Sequence, residues 1–237
     1  MLLYYLAFKN ISKMEAINMH FLNYNEQAAA NIRFLKINPE YHEKYKALKD
    51  LSLTLKKDNV NWALSCSASL FLQGIQDEFN DLDILIDMKD VDKVKAAIER
   101  IGGSLIETKQ KKGFKSPYYQ EAFYNDIHLD LIGDMTLTTF NTEYKYPVSK
   151  EEIIDVNLDN NISVPVCPIE ANLLLYGMMI GWDEHRKYKT KLCYNYLKET
   201  GVKYPNIIER DYDVLPQGLQ ELCKMLSPIT YSKTFSR

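Results

Sequence analysis

The chain changes its hydrophobic period several times between residues 40 and 166, and this switching limits the possible folds more than any bulk property does. From Glu40 to Lys57 the apolar residues Tyr41, Tyr45, Leu48, Leu51 and Leu55 recur at steps of three and four, the spacing of an amphipathic helix. Asp58 and Asn59 break that run, and residues 61–66 (NWALSC) read as a short buried strand. Residues 67–73 (SASLFLQ) predict a short helix that stops at Gly74. A strand is expected over residues 81–88 (DLDILIDM), a helix over 91–101 with Val91, Val94, Ala97 and Ile98 on one face, and a strand over 104–108. A basic loop (KQKKGFKSPYY) follows, then one long strand over residues 122–132 (AFYNDIHLDLI). Elements alternating in this way form a sheet packed against helices, an α/β or α+β fold with a mixed sheet.

The tail changes character. After two short strands near residues 153–157 and 162–166, Pro168 precedes an apolar helix over residues 169–180 (IEANLLLYGMMI). Proline suits a helix start because its missing N–H is one the helix could not use there. A second helix over residues 184–200 carries Tyr188, Leu192, Cys193, Tyr196 and Leu197 as its apolar stripe, and a third is expected near 217–226. The expected organisation is an N-terminal extension (1–39, partly disordered or helical), a sheet domain (40–166) and a helical C-terminal subdomain (167–237).

Composition removes several function classes. A formal net charge of −3 argues against a surface for long nucleic acid, which demands a basic stripe. Cys66, Cys167, Cys193 and Cys223 are widely spaced with no CxxC pair, so reduced, buried thiols are expected rather than a zinc site. The apolar start MLLYYLAF is too short to span a bilayer and lacks a basic leader, and Met14 or Met19 are alternative starts. A cytoplasmic protein with no membrane partner is expected. The 17 tyrosines are dispersed and read as core or half-buried, as do Trp62 and Trp182.

Chemistry concentrates in residues 62–87 (WALSCSASLFLQGIQDEFNDLDILID). Residues two apart in a strand share a face, with Cα atoms roughly 6.5–7 Å apart. Asp81 and Asp83 therefore aim two carboxylates into one space, which is favourable when a hard cation such as magnesium sits between them. The short helix beginning at Ser67 offers unpaired N–H groups and a hydroxyl beside that space, a seat for phosphate. A two-metal arrangement needs a third acid. Asp130, flanked by Leu129 and Leu131 in an apolar strand, is the candidate, since an unpartnered acid there is costly. Asp126 and His128 share its face by alternation, and Asp134 falls in a turn; for His128 an ordinary strand histidine is the simpler reading. Arg186, Lys187, Lys189 and Lys191 gather basic charge on one helix, where Arg186 and Lys189 share a face. Lys109, Lys111, Lys112 and Lys115 read as a solvated loop.

The run W-x-L-x-(G/S)-S-x-(A/S)-L-x-L-x-G, followed by N-D-(I/L)-D-I-L, resembles the DNA polymerase β-like nucleotidyltransferase superfamily. The closest likeness is to its small bacterial and archaeal members, with antibiotic adenylyltransferases and minimal nucleotidyltransferases more distant. The later patterns I-x-L-D-L-I-G-D and V-P-V-x-P-I-E-A-N-L-L-L-Y are also similar, so the resemblance covers roughly residues 60–200. It implies a polymerase β-like fold and magnesium-dependent transfer of a nucleoside monophosphate from a triphosphate, with ATP expected, to a hydroxyl acceptor on a small molecule or protein. It places the Gly-Ser signature on Cys66 and Ser67, the carboxylates for two Mg2+ ions on Asp81 and Asp83, the third acid on Asp130, and the triphosphate-reaching lysine on Lys189, beside Arg186. Cys66 stands where the family has glycine, which favours an alternative: a catalytically inactive, nucleotidyltransferase-like binding or antitoxin-type protein.

Overall fold

The structure is a computed structural model that describes residues 24–109, 113–139 and 142–226. The expectations for residues 1–23 and for Lys111 and Lys112 lie outside the described residues. Helices α1 (Tyr24–Ile37) and α2 (His42–Lys57) precede strand β1 (Trp62–Ser65), the short helix α3 (Cys66–Leu72) and strand β2 (Leu82–Ile86). Helix α4 (Val91–Arg100) leads to strands β3 (Ser104–Ile106), β4 (Tyr118–Tyr124), β5 (Ile127–Gly133), β6 (Thr136–Thr139), β7 (Thr142–Lys145), β8 (Ile154–Asp159) and β9 (Ile162–Val166). Four helices finish the described chain: α5 (Ile169–Met179), α6 (Glu184–Thr200), α7 (Pro205–Asp211) and α8 (Gln217–Leu226).

Seven strands form one mixed sheet in the order β3-β4-β5-β2-β1-β9-β8, and β6 and β7 form a separate hairpin. β2 runs antiparallel to β1 and parallel to β5. Each face of the sheet is covered, which explains why its central strands are apolar at nearly every position. Trp62, Leu64, Leu82, Ile84, Ile86, Leu129 and Leu131 face a core shared with α2 and α4. Ala63, Leu85, Ile132 and Tyr119 face a second core shared with α5, α6 and α8. Helix α5 is buried along its whole length, so it shows no polar face; it is the central element of the C-terminal half.

The mixed sheet and the helical C-terminal part are as expected. Some local readings need correction. The single long strand over residues 122–132 is two antiparallel strands, β4 and β5, pairing from Tyr118↔Gly133 to Tyr124↔Ile127. They turn at Asn125 (φ 51°) and Asp126; asparagine tolerates the left-handed backbone that a tight hairpin requires. Asp126 thus sits in the turn instead of on the Asp130 face, and Tyr118 and Tyr119 leave the loop to join β4. Cys66 begins α3 rather than ending β1. Tyr188 is exposed, so the α6 stripe starts later than its period suggests, and Trp182 is only partly buried.

Helix α1 is tied to the sheet domain. Asn31 Nδ2 donates to Phe71 O (2.7 Å) and Gln76 O (2.9 Å), and the Tyr24 ring meets Tyr196 at 4.6 Å. Among the described residues, no helix is long and apolar enough to cross a membrane.

Candidate active site

The second-core face of the sheet changes from apolar to acidic along its length. In one cross-strand row Tyr119 and Ile132 pair, and Ile132 pairs with Leu85 and Leu85 with Ala63. Two residues along, the row reads Glu121↔Asp130↔Asp83↔Ser65. Cross-strand partners share a face, and adjacent strands lie about 4.8 Å apart. Pairing alone therefore puts Asp83 beside Asp130 and Glu121 on its other side. Asp81, one residue ahead of β2, adds the next acid along that face.

Ligand-capable atoms of Asp81, His128 and Asp130 all lie within 4.8 Å of one another. Ligands around a shared divalent ion bonded at about 2.1 Å stand about 3–4 Å apart, so a closure of about 1–2 Å suffices. The donor chemistry and the spacing therefore fit a divalent cation. Asp130 is 6% exposed, so its carboxylate has little bulk water to share its charge. Tyr119 donates its single hydroxyl proton to Asp130 Oδ1 (2.9 Å), with Glu121 Oε1 the more distant second acceptor at 3.3 Å. Burial, reinforced by both carboxylates, holds the Tyr119 phenol far above its usual range, which keeps it a donor.

Strand β1 delivers the chain into α3 at the same edge. Cys66 adopts φ 53°, a left-handed backbone that costs an L-residue with a side chain roughly 1–2 kcal/mol. That conformation accounts for a glycine at this position in the resembling family. Here the turn is held by Asn172, a fully buried residue of α5 whose Oδ1 accepts from Cys66 N at 2.8 Å. Asn172 Nδ2 donates in turn to Ser69 Oγ (3.0 Å), Cys167 O (3.1 Å) and Pro168 O (3.1 Å). Ser67 follows, with its hydroxyl donating to Asp81 Oδ1 at 3.4 Å. Burial, with Asp83 nearby, pushes the Cys66 thiol well above its usual range, so it is a neutral group and not a thiolate ligand.

Helix α6 brings positive charge to this turn. Asp183 caps it, accepting from Arg186 N (2.8 Å) and pairing with Arg186 Nη1 (3.3 Å). Arg186 and Lys189 both lie within electrostatic reach of Cys66. Lys189 is 6% exposed, and burial lowers its pKa. Its Nζ donates to Gln76 Oε1, while Gln76 Nε2 donates to Ser67 O (2.6 Å) and Glu78 O (2.6 Å). Gln76 thus joins the lysine to the backbone of Ser67. On the other side, Lys44 of α2 donates to Phe79 O and lies within electrostatic reach of Asp81; burial lowers its pKa too.

All seven residues singled out in the sequence (Cys66, Ser67, Asp81, Asp83, Asp130, Arg186 and Lys189) therefore converge on one edge of the sheet. His128 joins the acids, whereas Asp134 pairs with Lys145 at 2.6 Å in its own turn. Sequence reasoning missed Tyr119, Glu121, Asn172, Gln76 and Lys44. The first two needed the hairpin register. Asn172, an amide in the apolar run 169–180, was the one readable signal, because a buried amide must find partners.

No protein-family model and no curated protein matches the chain. Solved structures do resemble it. A Thermotoga maritima protein described as a candidate nucleotidyltransferase is 21% identical over 69% of this chain and 96% of its own, with a TM-score of 0.47. ANT(2'')-Ia, solved with adenylyl-2''-tobramycin, is 12% identical over 65% of this chain and 89% of its own (TM-score 0.48). The lincosamide antibiotic adenylyltransferase LnuA, solved with lincomycin, is 19% identical over 59% of this chain and 89% of its own (TM-score 0.40). Nucleotidyltransferases by name are thus what the chain is similar to. At these identities and scores the likeness carries nothing about its substrates.

Proposed function

We propose that this chain is a divalent-cation-dependent nucleotidyltransferase that moves a nucleoside monophosphate from a triphosphate to a hydroxyl acceptor. The observation that carries the reading is the convergence of Ser67, Asp81, Asp83 and Asp130 on one sheet edge, with Arg186 and Lys189 behind the Ser67 turn. The acceptor oxygen attacks the α-phosphorus, and the bond to the oxygen bridging towards the β-phosphorus breaks, releasing pyrophosphate. Asp81, Asp83 and Asp130 would hold magnesium, which supplies charge neutralisation and template action when bound. Asp130 takes the proton of the attacking hydroxyl, and the Tyr119 hydrogen bond fixes which carboxylate oxygen stays occupied. Ser67 donates to the terminal phosphates. Arg186 and Lys189 offset the charge that builds on the leaving pyrophosphate, the electrostatic stabilisation on which such transfers depend.

A non-catalytic binding protein is the rival reading, and it rests on Cys66. The left-handed backbone that glycine would serve is kept here despite the side chain, held by Asn172. Retention of the turn and of all three acids favours catalysis.

Thermal shift with each of ATP, GTP, CTP and UTP, with and without Mg2+, tests the triphosphate site on which the reading depends, and labelling of an acceptor by radiolabelled triphosphate tests the transfer. A ligand at about a hundred times its dissociation constant adds roughly 2.7 kcal/mol, or about 5–10 °C for a chain of this size. A magnesium-dependent shift that Asp81→Asn and Asp83→Asn abolish is expected. No shift with any triphosphate overturns the reading and leaves the binding protein.

A further inference from the structure

His128 stands two residues before Asp130 on β5 and is half-buried, with its ring tilted against Phe123 at a centroid distance of 5.1 Å. Its Nε2 lies 3.7 Å from Asp130 Oδ1 and 3.8 Å from Glu121 Oε2. Both distances exceed hydrogen-bond length, yet they match the separation of two ligands on one ion. A ligand atom of His128 also falls within the 4.8 Å group formed with Asp81 and Asp130. The Phe123 contact and the fixed β5 backbone hold the imidazole on the acid face, because the strand alternation that points Asp130 there points His128 there too.

We propose that His128 is a ligand at the metal site and shifts its preference from magnesium towards a later first-row transition ion such as cobalt(II). This inference rests on the nucleotidyltransferase reading for the site and adds the identity of its metal. Magnesium is a hard ion that takes oxygen ligands in near-ideal octahedra and holds its waters tightly. Imidazole nitrogen suits later first-row ions, whose affinity for mixed nitrogen and oxygen sites rises along the series from manganese. A site of three carboxylates alone would carry less of this bias. With one nitrogen and two carboxylate oxygens already gathered, the ion that accepts nitrogen gains a ligand that magnesium uses poorly.

The test is direct binding to the full chain without nucleotide, following Co2+ by its visible absorption, Mg2+ by calorimetry, and Mn2+ by pulsed electron paramagnetic resonance. Wild type is compared with His128→Gln and His128→Asp, each checked for an unchanged thermal melt in chelator. Loss of a direct ligand should lower Co2+ affinity in His128→Gln by at least the roughly 10–100-fold that loss of an outer-shell partner costs, while Mg2+ affinity changes by less than about threefold. His128→Asp, an all-oxygen site, should move the preference back towards Mg2+. The 14N modulation of bound Mn2+ should be present in wild type and absent in both variants. An unchanged Co2+ to Mg2+ affinity ratio in His128→Gln, or no 14N modulation in wild type, overturns the inference. In that event a Mg2+–ATP thermal shift that survives in His128→Gln and is lost in Asp81→Asn leaves the nucleotidyltransferase reading standing.

Discussion

Replacing Asn172 by alanine should damage both stability and the proposed nucleotide site, although the residue lies outside the row of candidate site residues. Its Oδ1 is the acceptor for Cys66 N at 2.8 Å, and the side chain is fully buried. Truncation removes that acceptor, and an orphaned buried donor costs about 1–3 kcal/mol. Ser69 Oγ still has Gln73 and Cys167 O, and Cys167 O still has Ser69 and Gln73, so little further loss arises there. The void left by the carboxamide adds about 1 kcal/mol. Relaxation of the left-handed Cys66 backbone returns some of this, since that conformation itself costs roughly 1–2 kcal/mol. The net expectation is a loss of about 2–3 kcal/mol, or a melting temperature lower by about 4–12 °C. Urea denaturation should show the lower midpoint with an unchanged slope. If Cys66 relaxes, Ser67 leaves its position beside Asp81, and the Mg2+–ATP thermal shift should shrink with it. An Asn172→Ala protein within about 0.5 kcal/mol of wild type would falsify the claim that this amide holds the turn.

Two other outcomes can be checked in the same way. Gly74→Ala should destabilise by more than the roughly 1–2 kcal/mol of a left-handed backbone, because Gly74 has φ +76° and a Cβ there would lie 2.3 Å from Tyr24 O; urea midpoints decide it, and a neutral result would mean that α1 yields freely. Lys189→Met tests the burial of the ammonium. Folding lowers the Lys189 pKa, so just below the ordinary lysine value of about 10.4 the unfolded chain binds more protons than the folded one. Stability from this group therefore rises with pH through that window. The wild type should gain on Lys189→Met between neutral pH and about pH 10.5, and a pH-independent difference would show that the ammonium is not desolvated.

The sheet edge was legible in outline because its chemistry is written in local spacing. Asp81 and Asp83 are two apart, Ser67 opens a helix period, and Asp130 stands out as an acid between leucines; each of these needs only a few neighbouring residues to be seen. What was hidden depends on pairing across the chain. The β4–β5 turn at Asn125 went unread because the apolar positions on both sides merge into one alternating run, and with it went the placement of Tyr119 and Glu121. The β6–β7 hairpin and α7 lack an apolar period long enough to see. Lys44 and Gln76 carry no signal at all in sequence: α2 shows a good helical period, but nothing in it says that one of its lysines will lie near Asp81. The basic spacing around Lys189 is visible in the sequence, but its burial against Gln76 is a property of the packed helices alone.

The acid row also has a consequence for how the chain folds. Glu121, Asp130, Asp83 and Ser65 come from four strands and meet only when three separate strand pairings are each in native register. A slip of one residue in any pairing turns a strand's side chains to the opposite face. Slipping β2 by one residue would drive Asp83 towards the packed leucines and bring Leu82 or Ile84 to the acidic edge. Misregistered sheets would thus bury a charge and lose the site at the same time. Any ion or triphosphate that binds the native row would draw the population towards it by mass action, so such a ligand would also select the correctly paired chain while it folds.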